Sequence, residues 1–171
     1  MRPEFLVHYA AGLPFLSLMD LGPTQRAEVL AQGQVRGASR YQDPEYLPTR
    51  ERVEAALYRG FVEAGGKPLR RHPHYAVLGE IQGADPSQVH RLPLDALPPR
   101  QVSFTWQDSF TFDAAYRQAT GLGGHAATGT VFGLWELDAV LRRFPGGQRP
   151  GWMELEFQIW VDAHPSLLIL T

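Results

Sequence analysis

Three patterns in this chain of 171 residues bring chemically competent side chains close together. The first lies near the C-terminal end, where Glu154, Glu156 and Gln158 alternate with Met153, Leu155, Phe157, Ile159 and Val161. Residues two apart in a strand share a face, so the two carboxylates and the amide form a row that Trp160 extends. Neighbouring carboxylates repel. One held in a cleft titrates upward, which equips it as an acid, a base or a stabiliser of developing positive charge, whereas the same row on a solvent-facing strand is inert. The second pattern, Ser103, Thr105, Asp108 and Ser109, gathers hydroxyls and a carboxylate at the end of a strand and the start of a loop. That is a common position for ligand contacts and equally for an Asx turn.

The third is the stretch from Arg36 to Arg71, with eight basic side chains against five acidic ones. Arg52 and Arg59, seven residues apart, share one helical face, and Tyr41, Tyr46 and Tyr58 are interleaved. Arginine with aromatics is the composition of surfaces that hold phosphates and stack on bases. Glu45, Glu51 and Glu54 weaken that field. Among the histidines, His72 and His74 flank Pro73, so an extended segment would point both imidazoles one way, towards a shared metal or simply from a turn. Arg70 and Arg71 beside them oppose a bound cation. His125, inside the glycine-rich run 121–129, is either an acid–base group on a loop or a solvated side chain, and His90 and His164 have no local partner.

The elements that must position these groups follow from periodicity. Phe5 to Tyr9 predicts a short strand, and a helix runs from Pro23 to about Gln32, closed by Gly33. Pro48 to Ala64 places Val53, Leu57, Phe61 and Ala64 on one face and ends at Gly65-Gly66. The period then shifts towards two, predicting strands at 74–81, 89–92 and 102–106, a polar loop over 107–129, a helix over 134–144, the alternating last strand, and a short apolar tail at 167–170. Helices early, strands late and no regular alternation of the two predict an α+β fold. The expectation is one globular domain over residues 1–171, an antiparallel or mixed sheet packed by two to three helices.

Composition narrows the chemistry further. With 44% hydrophobic residues and a net charge of −2, a chain of this length removes about 70% of its extended surface from water without metals or disulfides. Lys67 is the only lysine among 16 basic residues. Zero cysteines exclude thiol nucleophiles, zinc–thiolate sites and iron–sulfur clusters. Walker, Rossmann, nucleophile-elbow and zincin signatures are missing from the sequence. Met1-Arg2-Pro3-Glu4 does not read as a secretory leader and no apolar run spans a bilayer, so the expected location is cytoplasmic.

Glu154-Leu155-Glu156, preceded about fifty residues earlier by Ser103-Phe104-Thr105, resembles the layout of the mono-ADP-ribosyltransferases. The opening Leu6-Val7-His8-Tyr9 resembles the first strand of the subgroup that holds NAD with a histidine, a tyrosine and a glutamate. The resemblance implies NAD as substrate and no metal, with His8 on the adenosine-side ribose and Ser103 and Thr105 in support. It also implies that Glu156, or Glu154 in its place, holds the nicotinamide ribose and steadies the oxocarbenium-like charge as nicotinamide leaves. Two further segments, Gly12 to Asp20 and Val102 to Ser109, resemble segments of bacterial proteins and imply a bacterial origin. The competing expectation is a non-catalytic domain that binds nucleic acid or another anionic partner through the 36–71 stretch, with Arg52, Arg59 and Tyr41 as its contacts.

Overall fold

A computed structural model of the chain describes residues 4–10, 14–35, 39–79, 88–121, 124–144 and 155–162. Six strands, β1 (Phe5–Tyr9), β2 (His74–Leu78), β3 (Val89–Pro93), β4 (Val102–Trp106), β5 (Val131–Gly133) and β6 (Leu155–Ile159), form one sheet in the order β3-β1-β2-β6-β4-β5. Every neighbouring pair is antiparallel. The helices are α1 (Pro23–Val35), α2 (Tyr46–Glu63), α3 (Ala114–Thr120) and α4 (Leu137–Arg143). The fold is α+β, with four α-helices among the described residues instead of two to three.

Strand register decides which residues meet. Val7, Val77, Glu156, Thr105 and Val131 stand opposite one another in a continuous row across five strands. Directly opposed residues project from the same face, and so do Tyr75, Gln158 and Ser103 two positions along. The other face carries Leu6, Leu92, Ala76, Phe157 and Phe104, which pack with Leu94, Leu97 and the α4 residues Leu137, Val140 and Leu141. On the polar row's own face lies α2, whose Val53, Leu57 and Phe61 pack on Val131 and Trp160.

The last strand therefore departs from its expectation. It is covered on both sides, and Gln158 and Trp160 have no exposed surface. The 107–129 segment is not a plain loop: a 3-10 turn at Ser109–Phe112 leads into α3, whose N-cap Asp113 accepts a hydrogen bond from the Tyr116 N–H at 2.9 Å. Gly121 closes α3 at φ 68°, where a side chain would be strained. The helix expected over 134–144 is divided, because the Glu136 carboxylate reaches back to the Gly133 N–H at 2.8 Å and holds Leu134–Glu136 as a 3-10 turn before α4 begins. In α2 the first turn starts at Tyr46, two residues ahead of Pro48, since proline there removes an N–H that has no helical partner anyway. The apolar tail at 167–170 lies outside the described residues.

Candidate functional site

Covering a polar row with a helix forces its side chains to satisfy one another. Gln158 does so at the centre: its amide oxygen accepts from the Ser103 hydroxyl at 2.9 Å, and its amide N–H groups donate to the Glu156 carbonyl at 3.0 Å and to Thr105 Oγ1 at 3.3 Å. The Trp160 indole N–H donates to Ser103 Oγ at 2.8 Å. Arg50 enters this layer from α2, its guanidinium 4.4 Å from the ring centres of both Tyr75 and Phe110, and donates to Ser109 Oγ at 3.3 Å. Glu156 accepts from the Ser109 backbone N–H at 3.2 Å. Burial, then the nearby Asp108 charge, pushes the Glu156 carboxyl up to about 7, while Arg50 and Ser109 pull it back.

Beside this layer, α2 and residues 68–72 enclose a groove of about 450 Å³. Glu54 forms part of its wall, only 2% exposed, and one carboxylate oxygen lies 2.7 Å from His72 Nδ1 while the other accepts from the Tyr75 hydroxyl at 3.2 Å. Burial pushes the Glu54 carboxyl above the usual carboxylate range, against the pull of the His72 hydrogen bond and the Arg50 charge. The 68–72 segment is anchored. The Leu69 and Arg70 N–H groups both donate to the Trp160 carbonyl, at 2.8 and 3.0 Å, and Arg70 pairs with Asp20 and Asp162 while its Nε donates to the His72 carbonyl at 3.0 Å. Arg59 and Arg71 also line the groove, and neither has an ion-pair or hydrogen-bond partner among the described residues. His72 thus meets a carboxylate at Nδ1, while its Nε2 has no hydrogen-bond partner among the described residues.

The structure separates several residues that the sequence grouped. His8 and Glu156 project from opposite faces of the sheet, since His8 pairs with His90 on the apolar face whereas Glu156 stands in the row with Val7. Both His8 ring nitrogens are engaged: Nδ1 lies 2.7 Å from the Tyr75 carbonyl, and Nε2 accepts from the Phe15 N–H at 3.0 Å. Ser103 and Thr105 are buried and hydrogen-bonded to neighbours in the layer. Glu154 lies outside the described residues. Arg52 sits 3.5 Å from Asp113 and donates to Thr49 Oγ1 at 2.9 Å, Arg59 faces the groove, and Tyr41 packs edge-on against Tyr46. His125 accepts from the Ala127 N–H and stacks on Trp106 at 4.2 Å, so it is a packed side chain.

His72 and His74 do not converge. The strand begins only at His74, which turns under Phe15 on the apolar face, while His72 turns to α2. Among the described residues no group of three or more histidines and carboxylates stands together to hold a metal. Sequence spacing alone does not pair Glu54 with His72, yet α2 carries the signal of such a network. Arg50, Val53, Glu54, Leu57 and Phe61 follow the spacing of a buried helical stripe, and two ionisable residues inside such a stripe mark a polar network under the helix. The chain matches no family model, no curated protein and no solved structure.

Proposed function

We propose that the groove between α2 and residues 68–72 binds a phosphate-bearing ligand of about nucleotide size. One observation carries this reading: two guanidiniums with no partner among the described residues, Arg59 and Arg71, stand on the wall of a groove of about 450 Å³. A volume of that order suits a small molecule, and guanidinium is the side chain best matched to phosphate oxygens. The remaining charges support the same polarity. Glu54 is engaged by His72 and Tyr75 and Arg70 by Asp20 and Asp162, which leaves Arg59 and Arg71 against Glu51 among the charged residues that line the groove. Tyr58 adds an aromatic ring to the same wall.

The NAD-cleaving reading draws on less, because its histidine lies on the opposite face from Glu156 and its two hydroxyl residues are engaged within the layer. Both readings are tested by thermal unfolding at low salt with millimolar AMP or NAD, since a ligand that binds only the folded state raises the midpoint. A rise with AMP that disappears in the Arg59→Ala, Arg71→Ala double variant supports the groove. Unchanged midpoints with both compounds overturn it. A rise with NAD alone that disappears in Glu156→Gln restores the transferase reading.

A further inference from the structure

We propose that the groove is also an active site, in which His72, oriented by Glu54, is the acid–base group that hydrolyses a phosphate ester. The proposal rests on the phosphate-binding reading above and adds chemistry to it. The contrast of His72 with His8 and His125 carries it, since the unpartnered nitrogens of His74 and His90 are buried and line no groove with a carboxylate partner. His8 has both ring nitrogens engaged by backbone groups, and His125 accepts from a backbone N–H while stacked on Trp106, as expected of imidazoles that serve packing. His72 differs from both: its Nδ1 meets a buried carboxylate at 2.7 Å, its Nε2 has no partner among the described residues, and it lines a groove that also holds Arg59 and Arg71, likewise unpaired among the described residues.

A buried carboxylate on Nδ1 fixes the tautomer, aims the ring and stabilises the imidazolium that forms when Nε2 takes a proton. Glu54 is itself held, by the Tyr75 hydroxyl at 3.2 Å. The reaction balances without any further reagent. A water molecule gives a proton to His72 Nε2 as its oxygen bonds to phosphorus. The ester P–O bond breaks, and the imidazolium returns that proton to the departing oxygen, leaving an alcohol and inorganic phosphate, or a phosphomonoester where the substrate is a diester. Arg59 and Arg71 offset the charge on the phosphoryl oxygens as the bond breaks. His72 is the catalytic residue, and Glu54 is a positioning residue.

The test follows nitrophenolate release by the full chain from p-nitrophenyl phosphate and from bis(p-nitrophenyl) phosphate, with the AMP-dependent rise in unfolding midpoint measured on the same preparations. The expected result is turnover of one of the two esters, which also tells monoester from diester chemistry. His72→Gln should lower the rate at least a hundredfold and keep the AMP rise. Glu54→Gln should lower it about tenfold and displace the pH–rate profile, a shift that a purely structural partner would not produce. Tyr75, Arg50, Arg59, Arg70 and Arg71 face or border the pair and stay constant across these variants. Full activity in His72→Gln overturns the proposal, as does an AMP rise in wild type with no nitrophenolate from either ester. Absence of the AMP rise in wild type takes down the binding reading and the active site with it.

Discussion

A guanidinium is worth to a ligand what it is not already giving to the protein, and this distinguishes the arginines that α2 exposes. Arg52 sits against Asp113 and Thr49, while Arg59 stands on the groove with no partner among the described residues. The sequence treats the two as equivalents seven residues apart; only the position of Asp113 at the head of α3 tells them apart, and that helix falls where polar composition predicts a loop. We expect Arg59→Ala to weaken AMP binding by about 2 kcal/mol, the usual loss for a charge-assisted hydrogen bond, with Arg52→Ala within about 0.5 kcal/mol of wild type. Titration calorimetry at low and moderate salt reads both. Equal losses in the two variants would move the ligand off the groove and onto the whole outer face of α2.

At the scale of elements, alternation made the last strand legible and its environment illegible. Leu155, Phe157 and Ile159 on one side and Glu156 and Gln158 on the other follow directly from the period of two. What the period cannot say is whether a second layer covers the polar side. It does here, because the Val53, Leu57 and Phe61 stripe of α2 needs an apolar seat and finds one on Val131 and Trp160, closing over the row between them. Gln158 thereby becomes the hub of a buried network joining β4 to β6. Replacing it with methionine, similar in shape but unable to accept or donate as an amide, leaves the Ser103 hydroxyl and Thr105 oxygen short of a partner. We expect Gln158→Met to lower unfolding free energy by about 1–3 kcal/mol in urea denaturation, with the AMP-dependent midpoint rise retained because the groove lies outside this network. Unchanged stability would mean that the network adds nothing beyond the packing around it.

Taken as a whole, the molecule places oppositely perturbed acids and bases on the two faces of one sheet. On the apolar face, burial lowers His8 and takes His74 down to about 4. On the face under α2, burial raises Glu54 and takes Glu156 up to about 7. The signs then oppose each other. As pH falls from 7 towards 4.5, Glu156 takes up a proton in the folded state before the unfolded chain does, which favours folding, whereas the unfolded chain protonates its histidines near 6.5 while folded His74 stays neutral, which disfavours it. The two effects are of similar size, each on the order of 3 kcal/mol over its own window, so wild-type stability should change little between pH 4.5 and 6.5. Removing one side exposes the other. Glu156→Gln, which keeps an oxygen to accept from the Ser109 N–H, should be more stable than wild type at pH 8 and lose stability steeply on acidification. His74→Leu should instead gain stability as pH falls from 7 to 4.5. Urea midpoints measured at half-unit pH steps for the three proteins decide the matter. A Glu156→Gln profile parallel to wild type would mean that this carboxyl ionises alike in the folded and unfolded chain, and that the layer beneath α2 is wetter than its packing implies.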